Sequence, residues 1–230
     1  MTALITICAR AGSKGLADKN IRPLNGIPLL EHSIRHAKAW NPEAQIVLST
    51  DSERYAELGR SLGIAAPFMR PADLANDSAG KIPVLVHALN ESERAFGKKF
   101  EYVLDLDVSA PLRTLADIQR GYQAFKDSGA DVCFSVTEAR RSPYFNMVER
   151  DASGKVSLCK KPDAHLLSRQ SSPKVWDLNA SIYFYRREYL MTNPTNLWGG
   201  KVEIFEMPEE TAFDINTELE FRIVELIQAR

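Results

Sequence analysis

Ile5-Thr6-Ile7-Cys8-Ala9-Arg10-Ala11-Gly12-Ser13-Lys14-Gly15-Leu16-Ala17-Asp18-Lys19-Asn20 runs from an apolar segment of strand length into a loop of small residues and cations. A helical pattern begins soon afterwards, near Pro28. Strand, glycine-containing loop and helix, in that order, open a parallel α/β sheet. Small residues let the backbone approach a ligand and turn its N–H groups towards anions. Arg10, Lys14 and Lys19 add positive charge, so a polyphosphate fits the composition. The spacing is neither G-x-x-x-x-G-K-[ST] nor G-x-G-x-x-G, which excludes a Walker loop and a dinucleotide fingerprint. A basic loop with no ligand would look the same; the remaining chain has to decide.

Outward from this stretch the alternation continues. Pro28 to Trp40 carries Leu29, Leu30, Ile34 and Ala37 at helical spacing, and Gln45 to Asp51 is a short β-rich run. Asp51 or Ser52 can cap a helix with Tyr55, Leu58 and Leu62 that stops at Gly63, and Ile64 to Met69 is extended. A polar loop, Arg70 to Ser78, precedes a helix with Pro83 in its first turn. Tyr102 to Asp107 is an apolar strand interrupted by two aspartates; Thr114 caps a helix through Ala124, and Asp131 to Val136 is a strand. From Arg140 to Asp177 the character changes: Tyr144 to Glu149 and Lys155 to Cys159 flank a polar turn, the pattern of a β-hairpin. Such a hairpin is either an arm for a lid or partner subunit, or a surface excursion. Strands at Ala180 to Tyr185 and Lys201 to Met207 follow. The chain closes on a helix capped by Thr217 with Leu219, Ile223, Val224 and Ile227 on one face.

The 230 residues suffice for one substantial core, and 44% apolar with 26% charged content is ordinary for a globular chain. A net charge of −1 provides no global field for nucleic acid or an anionic membrane, so neither is expected as a partner. Cys8, Cys133 and Cys159 are far apart and form no C-x-x-C pair; reduced thiols rather than a zinc site or disulfide are expected. His32 and His36 are four residues apart without an acidic or cysteine partner nearby, which favours solvated or packing histidines over a metal pair. Arg10 interrupts the first apolar run, and no stretch approaches the roughly 18 apolar residues of a membrane span. The expected location is cytoplasmic.

In open α/β sheets ligands bind beyond the carboxyl ends of the strands. Arg10 to Asn20, Arg70 to Ser78, Asp105 to Ser109 and Asp214 to Asn216 all follow strand-like segments and could converge there. A cationic loop opposite carboxylates is what a metal–nucleotide site requires. Alternation places Asp105 and Asp107 on one face, with Asp107 nearer the carboxyl end. Asp214 and Asn216 can present two oxygens to one side. The alternatives are local capping for both pairs, or pairing with a core base for the strand acids.

Ala9 to Gly15 with Lys19-Asn20 resembles the signature loop of the CMP-sialic acid synthetase family, cytidylyltransferases that activate nonulosonic acids. The resemblance extends through Ser49-Thr50-Asp51, Arg70 to Asp77, Ala110-Pro111-Leu112-Arg113-Thr114, Arg169-Gln170, Asn179 to Tyr183 and Phe213 to Leu219. It implies an α/β, Rossmann-like nucleotidyltransferase fold, with a mostly parallel central sheet and a small β-hairpin dimerisation arm. One domain over residues 1–230 is implied, with 140–178 inserted for dimerisation and the sugar site, and a homodimer as the assembly. CTP and a nonulosonic acid are the implied substrates and Mg²⁺ the implied cofactor. Ala9, Arg10, Ala11, Gly12, Ser13, Lys19, Asn20, Arg70, Asp77 and Lys81 would bind the nucleotide. Asp107, Asp214 and Asn216 would hold the metal, and Arg169, Gln170 and Asn179 would meet the sugar. Arg10, Lys19, Asp107 and Asp214 would carry catalysis.

The departures are informative too. Sialic acid synthetases usually read Gln-Pro-Thr-Ser where this chain has Asp107-Val108-Ser109-Ala110, and Asp-Ile-Asp where it has Asp214-Ile215-Asn216. Asp107 therefore looks like compensation for the charge missing at Asn216. Lys81 and Asp177 stand where serine and arginine are common. Leu104-Asp105-Leu106-Asp107, Asn76 to Lys81, Pro143 to Asn146 and Arg169 to Ser171 resemble most the CMP-legionaminic acid synthetase subgroup. N-acetylneuraminic acid, pseudaminic acid and KDO remain alternative acceptors, and a catalytically silent nucleotide-binding paralogue is the alternative of another class.

Overall fold

The structure, a computed structural model, describes residues 2–12, 15–161 and 171–229. Ala3–Cys8 (β1) is buried almost without interruption, as expected of a strand covered on both faces. A short Pro23–Leu24/Ile27–Pro28 hairpin (β2, β3) leads into Leu29–Trp40 (α1), and Gln45–Ser49 (β4) returns to the sheet. Glu53–Ser61 (α2), Lys81–Phe96 (α3), Tyr102–Leu106 (β5) and Leu115–Ser128 (α4) continue the alternation. Then come Val132–Glu138 (β6), the hairpin Val148–Arg150 and Val156–Leu158 (β7, β8), and Trp176–Arg186 (β9). Arg187–Met191 (α5), Val202–Glu206 (β10) and Glu218–Gln228 (α6) complete the described chain.

The described strands form a six-stranded sheet in the order β10-β6-β9-β5-β1-β4. β1 runs parallel to β4 and β5, and β10 parallel to β6; β9 alone is antiparallel to its neighbours β5 and β6. The start of β9 therefore lies at the edge where the other five strands end. Alternation divides the core between two faces. Ile5, Ile7, Leu104 and Leu106 pack with Leu30, Ile34, Ile118, Phe125 and Val224, so α1, α4 and α6 cover one face. Leu4 and Val103 pack with Leu85, Leu89, Tyr185 and Leu190, under α3 and α5. Gly121 is required where α4 crosses the sheet, because a Cβ there would overlap the Phe184 and Phe205 rings.

Several boundaries differ from the sequence expectation. Ser52 rather than Asp51 caps α2, its hydroxyl accepting from Tyr55 N, which leaves Asp51 available elsewhere. The helix after Thr114 extends to Ser128 and closes on Gly129 in the left-handed conformation, beyond the expected Ala124. The helix containing Pro83 starts at Lys81. Ile64 to Met69 contributes one parallel bridge, Ala65 with Val47, rather than a strand. In α6 the buried positions are Phe221 and Val224; Leu219 is 68% exposed and does not share their face. No helix among the described residues is long and apolar enough to cross a membrane. Cys8, Cys133 and Cys159 are free thiols, Cys133 buried and the others partly so.

One ion-pair network ties the end of β9 to α3. Glu93 is buried on α3 and accepts from Arg187 Nε at 2.7 Å, Lys99 Nζ at 2.7 Å and Phe100 N at 3.2 Å. Burial would raise its carboxyl, but these donors outweigh it and hold the group down at about 2. A depressed carboxylate stabilises the fold above its unfolded value near 4.3 and loses that contribution as pH falls through the folded value. Glu93→Gln is expected to cost on the order of 2 kcal/mol in urea unfolding at pH 7, with an unchanged m-value. The gap to the unsubstituted protein should narrow steadily as pH falls from 5 towards 2; a gap independent of pH would deny the ionised state its role.

Candidate active site

The loop following β1, the polar loop between α2 and α3, the turn following β5 and the segment before α6 meet around a cavity of about 500 Å³. Arg10, Lys19, Asn20, Arg70, Asp77, Lys81, Asp107 and Asn216 line it, so residues from four distant segments are brought together. Backbone bonds fix the first loop: Ala9 N donates to Ser49 O at 3.0 Å, and Ala11 N to Asp51 Oδ1 at 2.9 Å. The Asn20 amide donates to Arg10 O at 3.0 Å, closing the loop on itself. Gly12 lies on its open side, where an added Cβ would meet nothing within 4 Å. Gly15 is at the opposite extreme, because a Cβ there would overlap the Asn216 carbonyl oxygen. Ser13 and Lys14 lie outside the described residues.

The cations divide by role. Arg10 Nη2 reaches Asp77 Oδ1 at 2.6 Å, linking the first loop to the polar loop after Arg70, and both side chains keep access to water. Arg70 is buried and points back to β4, donating to Ser49 O at 2.6 Å and Ser49 Oγ at 3.1 Å. Lys19 Nζ donates to Ile215 O at 2.6 Å, joining the first loop to the last one. Burial depresses the Lys19 ammonium; Asp107 and Asp214 act against that without cancelling it.

The strand acids share a face, as alternation predicts. Lys81 Nζ bonds Asp105 Oδ2 at 2.8 Å and Asp107 Oδ2 at 3.1 Å. Asp105 is fully buried and its other oxygen accepts from Thr6 Oγ1 at 2.8 Å. Asp107 Oδ1 accepts from Ser109 N at 3.0 Å and Ser109 Oγ at 2.7 Å. Burial works against the Asp107 charge, yet Lys81 and Ser109 prevail and hold its carboxyl well below the usual range. Behind it, Arg113 is fully buried and donates to the Asp107 carbonyl oxygen, to Ser33 Oγ at 3.2 Å and to Ser181 Oγ at 3.2 Å. Desolvation lowers this guanidinium to about 10. Sequence reasoning missed Arg113, although the quoted Ala110-Pro111-Leu112-Arg113-Thr114 contains it, an arginine among apolar residues just after a strand.

Asp214 lines a second cavity of about 370 Å³, with Thr137, Arg140, Asp177, Asn179 and Glu209. One hydrogen bond links the two walls: Asn216, on the wall of the first cavity, donates through Nδ2 to Asp214 Oδ2, on the wall of the second, at 2.5 Å. Thr217 rather than either residue caps α6, in a capping box with Glu220. Asn179 is buried, accepting from Ser135 Oγ at 2.6 Å beside a bulge in β9 where Ala180 has a φ of 55°. Arg140 pairs with Glu209, while Arg141 faces a different cavity at the foot of the β7–β8 hairpin. Arg169 and Gln170 lie outside the described residues. Among the described residues no group of three His, Cys, Asp or Glu side chains gathers for a metal. The candidate metal set is two carboxylates and an amide oxygen, which suits a hard cation that takes its other ligands from water and phosphate.

Known proteins align with this architecture. The profile of the cytidylyltransferase family matches residues 4–224. The chain is 44% identical over 224 residues to the post-translational flagellin modification protein B of Campylobacter coli, covering 97% of this chain and 94% of that one. It is 43% identical, over the same shares, to the CMP-N,N'-diacetyllegionaminic acid synthase of Campylobacter jejuni subsp. jejuni. A solved CMP:2-keto-3-deoxy-manno-octonic acid synthetase, complexed with CTP, superposes with a TM-score of 0.73 over 100% of this chain and 99% of its own, at 19% identity, a likeness of fold.

The glycine contact provides a direct test of the convergence. Gly15→Ala is expected to push the first loop away from the 214–216 segment and raise amide hydrogen exchange in both loops by ten-fold or more. The melting temperature should move by no more than a few degrees, since the contact lies outside the core. Unaltered exchange in residues 214–217 would show that the two loops act independently.

Proposed function

The chain belongs to the cytidylyltransferase family, and on that premise we propose that it transfers CMP from CTP to the anomeric hydroxyl of a nonulosonic acid, releasing pyrophosphate. The observation that carries the reading is the pair of cavities whose walls are linked by the Asn216–Asp214 hydrogen bond. One carries Arg10, Lys19, Arg70 and Lys81, cations suited to a triphosphate; the other carries Thr137, Asn179 and four carboxylates, acceptors suited to sugar hydroxyls, with Arg140 as its cation. The α-phosphorus would lie at their junction. There the acceptor oxygen forms the new P–O bond while the bond to pyrophosphate breaks.

Arg10 and Lys19 would neutralise the charge growing on the leaving pyrophosphate. Lys19 is suited to this because Ile215 O and the charges of Asp107 and Asp214 fix it before substrate arrives, so little reorganisation is needed. Asp107, Asp214 and the Asn216 amide oxygen would hold Mg²⁺, which supplies Lewis-acid polarisation of the α-phosphate. The acceptor carboxylate calls for a cation. Arg169 is the first candidate, and Arg140, on the wall of the second cavity, is the best placed among the described residues. The favoured acceptor is N,N'-diacetyllegionaminic acid, supported by the 43% identity to the Campylobacter jejuni synthase.

Pyrophosphate release from CTP with N,N'-diacetyllegionaminic, pseudaminic and N-acetylneuraminic acids and KDO tests the reading. Turnover should be fastest with the first; turnover with KDO alone would overturn the acceptor, and none with any would overturn the activity. Asp107→Ala should lower kcat by at least a hundred-fold with the fold intact by circular dichroism. Near-normal turnover would remove Asp107 from the mechanism.

Residues 140–178 read as an insertion that pairs with a second copy of the chain, making a cytoplasmic homodimer. A two-stranded hairpin is marginal alone in water, yet β7 and β8 expose Val148 and Val156 on one face, with Phe145 and Met147 exposed just before β7 and Trp176 and Leu178 exposed at the start of β9. Sedimentation should give a dimer, and the double variant Val148→Asp/Val156→Asp a folded monomer. A monomeric unsubstituted protein at micromolar concentration would refute the arm.

A further inference from the structure

A lysine sits where the sheet has assembled two carboxylates. Asp105 and Asp107 project from the same face of β5, and the Lys81 ammonium lies between them at 2.8 and 3.1 Å. A ring of the kind a cation seeks also faces the ammonium. The Tyr183 ring lies beneath it with 4.3 Å from Nζ to the centroid, and Tyr183 stacks on Tyr185. Local preference does not put a cation here: Lys81 is the first residue of α3, at the end of a helix dipole that repels positive charge. Asp105 has no exposure to water, so without a cation its charge would be stranded. Two facing carboxylate oxygens, both hard, would otherwise suit a divalent ion.

We propose that Lys81 is a built-in substitute for a divalent metal: its ammonium fills the place between Asp105 and Asp107 and keeps metal out of it. The lysine side chain is 30% exposed and lines the nucleotide cavity, so the fixed charge also faces bound phosphate. Metal binding at the site is thereby confined to the Asp107–Asp214–Asn216 side. This assignment rests on the reading of the cavity as a nucleotide site, yet its test uses neither nucleotide nor sugar acid.

Mn²⁺ is titrated into the nucleotide-free protein and free Mn²⁺ followed by electron paramagnetic resonance. Lys81→Met keeps an unbranched apolar stem of nearly the same length and removes the charge. It should bind one more Mn²⁺ per chain than the unsubstituted protein, or bind at least ten-fold more tightly. Lys81→Arg should gain nothing. Lys81→Met/Asp105→Asn, which relieves the buried charge, should fold even if Lys81→Met does not, and should lose the gained ion. A folded Lys81→Met with unchanged Mn²⁺ binding would overturn the proposal. So would equal binding by Lys81→Arg and Lys81→Met, or retention of the extra ion by the double variant. If Lys81→Met does not fold, the same titration of Lys81→Ser decides by the same criteria. CTP turnover enters none of these readouts, so the reaction can fail its own test while this one succeeds, and the reverse.

Discussion

A carboxylate with no access to water, Asp105, lies on the central part of the sheet, and its compensation organises the edge where the cavity opens. Burying a lone charge would cost several kcal/mol, so the first turn of α3 must deliver Lys81 to it. Once there, the ammonium also reaches Asp107. The Asp107 backbone is held independently, by Arg113 on its carbonyl and by its own N–H donating to Ser181 O at 3.1 Å. β5, β9, α1 and α3 are thus tied together at one residue. Its carboxylate is aimed into the cavity by Ser109 and Lys81 and is not free to turn away.

The second constraint is the contact between the first loop and the last one, two segments separated by nearly the whole chain. Lys19 Nζ reaches Ile215 O, Gly15 abuts Asn216, and Ile215 N donates to Ser109 O at 2.8 Å. Charge alone would not place these groups, since exposed ion pairs contribute little in water. Backbone atoms of the last loop do so, Ile215 O accepting from Lys19 and Ile215 N donating to Ser109 O, which fixes Lys19 relative to Asp107 and Asp214 before any ligand arrives. That order suits phosphoryl chemistry, where positioned charge does most of the work.

Much of this was legible in the sequence. The apolar run Ile5 to Cys8 and the polar loop after it announced a parallel α/β unit, and period-two spacing placed Asp105 and Asp107 on one face. The quoted motifs named the cytidylyltransferase family that the 4–224 match then showed. Other features were not legible, for physical reasons. The pattern of Ala180 to Tyr185 gives burial but not direction, so the antiparallel setting of β9 had to come from pairing. Leu219 is apolar and in phase by count, yet it lies 68% exposed, because helix position rather than residue type decides what meets the core. The partners of Lys81 and Arg113 depend on where helix starts and turns fall within a residue or two, the least readable property of a sequence.

The proposed phosphate-binding site is built from four loops, the first and last drawn from the two ends of the chain. Hydrogen–deuterium exchange with and without CTP measures this segment by segment. Protection is expected together in the loop after β1, in residues 70–81, in residues 107–109 and in residues 214–217, while the hairpin β7–β8 is unaffected. Protection of the first loop alone, or protection centred on the hairpin, would contradict a site built from both ends of the chain.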